Sequence, residues 1–197
     1  AGADLNWLRE VGQMDPEQNL LISRRTAGLI RDLDHFPKPT IALVHGACIG
    51  GGTGIICACD IVIATSDAQF AISEARWGAI ASIIFPQLLA TIGPRQVRRY
   101  ALSCEKIGVE RAKEIGLVHE ICPNDDLDST AAAVIDAILR NGPNALEASK
   151  QWIQRSSGAE VDDDLYNELI AVHAATRQTP EAQEGFTSFI EKRMPAW

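Results

Sequence analysis

The chain has 197 residues, enough for one large domain, or a domain with a helical appendage, around a real core. With 46% hydrophobic and 22% charged residues it has the composition of a globular protein. No apolar run approaches the roughly 18 residues needed to cross a bilayer, and a net charge of −8 argues against a nucleic-acid binder, so an anionic ligand must be met by local donors.

The opening AGADLNWL carries no initiator Met, no signal-peptide layout and no strand ahead of it, and reads as cut within a longer chain. Asp15-Pro16 marks a helix start, with a capping side chain and a proline in the first turn. Residues 16–36 place Leu20, Leu21, Ala27, Ile30 and Leu33 near helical spacing, and Pro37 and Pro39 stop the helix. TIALVHG (40–46) is a β-branched run that predicts a buried strand, and TGIICACD (53–60) begins a helix. IVIAT (61–65) and AQFAI (68–72) predict strands around a Ser66-Asp67 turn. Helices follow over 82–92, 95–102 and 109–115, then a strand over 117–121. The alternation predicts an α/β fold with parallel pairing over 1–125.

From residue 126 the pattern turns helical, over 129–140, 144–156, 161–178 and 180–193, so that 126–197 is a helical region. The run Asp162-Asp163-Asp164 sits where a helix begins, where negative charge is favourable. The cysteines Cys48, Cys57, Cys59, Cys104 and Cys122 are odd in number, mostly in apolar surroundings, and form no C-x-x-C pair. The expectation is a reduced, intracellular protein of the cytoplasm. His35, His45 and His173 lack metal-ligand spacing, so no metal is assigned.

Between the strand and the helix lies HGACIGGGTGI (45–55), with five glycines in eleven positions. A strand, a glycine turn and a helix point backbone N–H groups at negative charge. No G-K-[ST] follows, so this is no phosphate loop, and Ile55 spoils a dinucleotide fingerprint. Two readings stay open on the local sequence: a site for one developing oxyanion, or close packing of helix on strand. Glu74 lies at the end of a predicted strand, flanked by Phe70, Ile72, Trp77 and Ile80. Such surroundings disfavour a charged carboxylate and suit it to proton transfer. Taken alone, a glutamate is more often salt-bridged or at the surface. Arg76, Trp77 and His119 are candidates for substrate contacts, with packing or surface roles favoured for each.

Together these features resemble the crotonase, or enoyl-CoA hydratase/isomerase, superfamily. The resemblance rests on Ala1-Gly2-Ala3-Asp4, the H-G-x-x-x-G-G-G turn at 45–52, Cys59-Asp60-Ile61, and Ala68-Gln69-Phe70 leading to Glu74. It continues through Glu114-Ile115-Gly116-Leu117-Val118 and Phe189-Ile190-Glu191-Lys192-Arg193, and so spans essentially the whole chain. It implies a crotonase-type spiral core that is partial here, because family members carry further strands and a helix ahead of AGAD. It also implies a C-terminal helical region that makes trimers, or dimers of trimers. In this family two backbone amides polarise an acyl-CoA thioester carbonyl and stabilise the enolate. Carried over, these are Ala3 and Gly51, with Glu74 as the catalytic acid/base. Ala3, Asp4, Leu5 and Asn6 would line the CoA path, and Phe189 and Lys192 would reach a neighbouring subunit's CoA. No cofactor is implied beyond the coenzyme A of the substrate, and no nucleic-acid or membrane partner.

One departure matters. Typical hydratases of the family hold a second glutamate in the helix after G-G-G, where this chain has Gly54. A lone glutamate suffices to shuttle a proton between carbons, which favours an enoyl-CoA isomerase. The finer resemblance, in Ser73-Glu74-x-Arg76, Gly116-Leu117-Val118-His119-Glu120 and the ending Glu191-Lys192-Arg193-Met194-Pro195-Ala196-Trp197, is to bacterial methylglutaconyl-CoA and isohexenylglutaconyl-CoA hydratases of leucine and terpene breakdown. The expectation is therefore a hydratase of a branched enoyl-CoA. The alternatives are the isomerase and an inactive acyl-CoA-binding fragment.

Overall fold

A computed structural model describes residues 2–158 and 160–197. The chain divides into two compact units. The first comprises residues 1–36 and 40–132, and the second residues 37–39 and 133–197.

In the first unit, α1 (Leu5–Gly12) and α2 (Pro16–Asp34) both start at an aspartate cap. Asp15 accepts from the amides of Glu17 and Gln18 at 3.0 Å, and Pro16 fills the first position, where its missing N–H costs nothing. Two small sheets follow among the described residues. One has the order β1 (Ile41–Val44), β3 (Ile61–Thr65), β6 (Glu120–Cys122), all parallel. The other has the order β2 (Ala47–Ile49), β4 (Gln69–Ala71), β5 (Ile107–Gly108), parallel between β2 and β4 and antiparallel between β4 and β5. Asp60 pins the start of β1 beside β3, accepting from the Thr40 amide at 2.7 Å and its hydroxyl at 2.9 Å.

Helix α3 (Gly51–Cys57) links β2 to β3, α4 (Phe85–Ser103) links β4 to β5, and α5 (Val109–Glu114) precedes β6. The core between sheets and helices holds Phe70, Ile72, Ile84, Leu88, Ile107 and Leu117. The second unit contains most of α6 (Leu127–Leu139), then α7 (Pro143–Ser156), α8 (Asp163–Thr176) and α9 (Pro180–Glu191). Asp162 caps α8 by accepting from the Leu165 amide at 2.8 Å.

Several expectations need correcting. Ser66 and Asp67 form the expected turn, but the strands on its two sides, β3 and β4, belong to different sheets. The strand expected at 117–121 is Glu120–Cys122, since Leu117 and Val118 close the turn after α5 by donating to the Ala112 carbonyl. The helix expected at 53–60 begins at Gly51 and ends at Cys57. The two helices expected at 82–92 and 95–102 are present within α4, parted by the non-helical Gly93 (φ 71°, ψ 162°), but residues Ser82–Ile84 form a 3-10 turn ahead of the first. Pro94 enforces that break, because its ring and missing N–H cannot continue the helix. Strands β2 and β5 and helix α1 were not anticipated.

Candidate active site

Strands β2 and β4 run side by side, with Cys48 opposite Phe70 and Ile49 opposite Ala71. Beyond this pair the chains diverge. One leads through Gly50 into α3, and the other through Ile72 and Ser73 to Glu74, which opens a 3-10 turn, Glu74–Trp77. Gly50 has φ 58° and ψ −124°, a conformation side-chain-bearing residues rarely adopt. Its N–H donates to the Ala71 carbonyl at 2.8 Å. A β-carbon built on Gly50 would lie 2.9 Å from Glu74 Oε1, so the carboxylate rests on bare backbone. Glu74 Oε2 is buried and has no hydrogen-bond partner among the described residues. A buried polar atom without a partner costs free energy, and such atoms mark places where a ligand proton can be met.

Gly51 is the first residue of α3, so its amide has no intrahelical acceptor. Among the described residues, nothing beyond its chain neighbours and the nearby backbone of its own helix lies within 4 Å of where its β-carbon would stand. Packing therefore explains Gly50 but not Gly51. The second expected donor, Ala3, is exposed, and it follows a residue that touches the turn's own strand. A β-carbon on Gly2 would come 2.5 Å from the Ile49 carbonyl oxygen. Ala1 of the same motif lies outside the described residues. Asp4 caps α1, accepting from the amides of Asn6 at 2.8 Å and Trp7 at 3.3 Å. Leu5 and Asn6 form the exposed first turn of that helix.

Gly54 is buried, and its missing side chain has been replaced from outside. A β-carbon there would lie 2.1 Å from Cγ2 and 2.5 Å from Cβ of Ile84, which is 1% exposed. The place where the resemblance puts a second carboxylate is thus filled with hydrocarbon.

The remaining candidates separate clearly. Trp77 and Ile80 stay exposed, so Phe70 and Ile72 alone of the four expected neighbours are buried in the core beneath Glu74. Arg76 Nη2 donates to the Cys104 carbonyl at 3.0 Å and anchors the 3-10 turn to the end of α4. His119 Nδ1 accepts the Val62 N–H at 3.0 Å, a structural role. Phe189 is 84% exposed on α9, and Lys192 ends that helix with φ 57°. Both belong to the second unit. Burial pushes the Cys57 thiol up to about 12, which makes it a poor nucleophile. Among the described residues no group of three or more His, Cys, Asp or Glu is placed to hold a metal ion. A cavity of about 340 Å³ beyond the ends of β1, β3 and β6, lined by His45, Thr65, Asp67 and Asn124 among others, contains none of the candidate residues.

Sequence reasoning passed over Thr53. It is fully buried in the first turn of α3, and its hydroxyl lies 3.0 Å from the Cys48 carbonyl and 3.1 Å from that of Ala71. A polar, β-branched residue set between glycines at a helix start was the available signal.

The whole chain, residues 1–197, matches the family model for enoyl-CoA hydratase/isomerase. The 2,3-dehydroadipyl-CoA hydratase of Escherichia coli is 32% identical over 99% of this chain and 74% of its own length. The mitochondrial Delta(3,5)-Delta(2,4)-dienoyl-CoA isomerase of Dictyostelium discoideum is 34% identical over 94% of this chain and 64% of its own length. The crystal structure of an enoyl-CoA hydratase from Shewanella pealeana superposes with a TM-score of 0.94 at 41% identity, covering 100% of this chain and 73% of that one. The α/β architecture is the crotonase fold, and the chain belongs to the enoyl-CoA hydratase/isomerase family.

Proposed function

We propose that this protein is an enoyl-CoA hydratase acting on a branched, glutaconyl-type acyl-CoA. The observation that carries the reading is the packing of the Glu74 carboxylate, one oxygen unpartnered, against the glycine turn that presents the Gly51 amide. A thioester oxygen held by the amides of Gly51 and Ala3 gains charge as the enolate forms. One such donor is typically worth about 2.7–4 kcal/mol in the transition state. Glu74 takes a proton from water as the water oxygen bonds to the β-carbon. The π electrons move onto the thioester oxygen, and Glu74 then returns the proton to the α-carbon. The step balances with one carboxylate, which ends as it began.

The distal carboxylate is supported by a relative named for 2,3-dehydroadipyl-CoA, an unbranched thioester of a dicarboxylic acid, and the branch by the motifs shared with glutaconyl-type hydratases alone. The substrate's own distal carboxylate would then help hold water where residue 54 offers none. Assembly as a trimer or a dimer of trimers belongs to the same proposal, with Phe189 and Lys192 meeting a neighbouring subunit's CoA. It is supported by the exposed apolar side chains of Phe189, Ile190 and Met194.

A second reading, enoyl-CoA isomerase, is favoured by Ile84. Hydrocarbon packed against Gly54 leaves a single carboxylate, enough to carry one proton between two carbons. Incubation of a panel of 2-enoyl- and 3-enoyl-CoAs in ¹⁸O-labelled water tests the assignment. The expected result is label at the β-carbon of a substrate bearing a distal carboxylate. Migration of the double bond without added oxygen across the panel would replace the hydratase with the isomerase.

A further inference from the structure

We infer that Thr53 is a positioning residue that sets the distance between the Gly51 amide and the Glu74 carboxylate; the inference rests on the reading of those two groups as one reaction site. The two groups sit on different chain segments, two residues before Thr53 and three residues after Ala71. What joins the segments is the Ala71 carbonyl at the end of β4. It accepts the Gly50 N–H at 2.8 Å and lies 3.1 Å from Thr53 Oγ1. The same hydroxyl lies 3.0 Å from the Cys48 carbonyl on β2, so one buried oxygen spans both strands where they part.

The geometry of this bracket is tight. The Thr53 amide bonds the Gly50 carbonyl at 2.9 Å, which ties the hydroxyl to the turn. Thr53 is 0% exposed, so no solvent reaches its hydroxyl. Gly50 itself cannot fix the spacing, because a glycine in the left-handed region has a wide range of accessible conformations. The threonine hydroxyl limits that freedom from the side, its single proton shared between two carbonyls that belong to the two strands.

Thr53→Val keeps the branched shape and removes the donor, whereas Thr53→Ser keeps the donor and removes a methyl group. With an enoyl-CoA that the unaltered protein turns over, Thr53→Val is expected to lower kcat by roughly 10–100-fold, the scale of a sub-ångström to 1 Å misplacement, with KM changed by less than about threefold. Thr53→Ser should restore kcat to within about threefold. Should Thr53→Val not fold, Thr53→Ala against Thr53→Ser makes the same comparison. Wild-type kcat in the hydroxyl-free variant, or an equal loss in Thr53→Ser, overturns the inference. Hydrogen exchange at the Gly50 amide reads the bond to Ala71 without any turnover. Faster exchange in the hydroxyl-free variant than in Thr53→Ser supports the inference, and equal exchange overturns it, even if no member of a substrate panel is converted and the functional reading itself fails.

Discussion

Gly54 and Ile84 occupy one space between them: a β-carbon on the glycine would stand 2.1 Å from Cγ2 of the isoleucine, far inside van der Waals contact. The two residues are thirty positions apart, on α3 and on the 3-10 turn that precedes α4. The helix can carry a side chain at 54 only if residue 84 gives way. The absence of a second carboxylate is therefore built into the packing and is not a single-residue change.

Gly54→Ala should accordingly destabilise the protein. Alanine gains up to about 1 kcal/mol in helix propensity, but overpacking a filled core typically costs about 1–3 kcal/mol, and a contact this short belongs at the upper end. Ile84→Ala leaves a cavity and should cost about 2–5 kcal/mol alone. The double variant should be more stable than the sum of the two losses, because each change relieves the other. Chemical denaturation of the three variants measures this, and strict additivity would show that the two side chains do not compete.

Glu74→Gln should keep the fold and lower turnover by on the order of 10²–10⁴, the usual worth of a positioned general acid–base. Glutamine retains the shape that packs on Gly50 but cannot carry the proton. Steady-state kinetics with an unchanged melting curve checks it; near wild-type activity would remove Glu74 from the chemistry.

Much of the framework was legible locally. The β-branched run 61–65 is β3 residue for residue, and Asp15-Pro16 caps α2 as its chemistry demands. Strand β2 was not legible, because three residues bracketed by glycines are too few to show alternation. Helix α1 was hidden because Asp4 was read as ligand-facing, although its side chain is spent on capping amides. The split of β3 and β4 into separate sheets depends on β1, β2, β5 and β6, and no feature of the Ser66-Asp67 turn reports it. In the site, the glycine turn and Glu74 were visible as residue types. Which glycine serves which purpose was not, since Gly50 meets Glu74 and Gly54 meets Ile84 only once distant segments are brought together.

The end of the second unit should respond to acid. Arg193 grips Glu184 through two hydrogen bonds, at 2.6 and 2.9 Å, and the Ala196 amide adds a third at 2.8 Å. The Arg193 hydrogen bonds hold the Glu184 carboxyl down at about 2, from an ordinary value of 4.5. A carboxyl held low in the folded state contributes stability above its ordinary value, and that contribution is lost as pH falls from 4.5 towards 2. Glu184→Gln should flatten the stability profile within this window and leave the slope elsewhere unchanged. Thermal melts across the acid range decide it, and parallel profiles for the two proteins would refute the assignment.

Gly50 and Gly51 are adjacent, yet substitution should harm them in different ways. At Gly50 an alanine meets two obstacles, a backbone with φ 58° and ψ −124° and the Glu74 Oε1 atom 2.9 Å from its β-carbon. Strain of that kind costs of order 1–3 kcal/mol, and relieving it must move the carboxylate, so Gly50→Ala should lose stability and turnover together. At Gly51 no described atom beyond the chain neighbours and the helix's own nearby backbone lies within 4 Å of the added carbon, and no unusual φ is required. Gly51→Ala should thus fold with wild-type stability, or gain a few tenths of a kcal/mol from the loss of a flexible residue. Its methyl group would nevertheless stand beside the amide that meets the thioester oxygen. A fall in kcat/KM of roughly 10²–10³, the worth of one such donor, is expected. Paired melting curves and kinetics separate the two glycines. A Gly51→Ala protein that is stable and fully active would show that the amide is not a donor to the substrate, and the glycine turn would then serve packing alone.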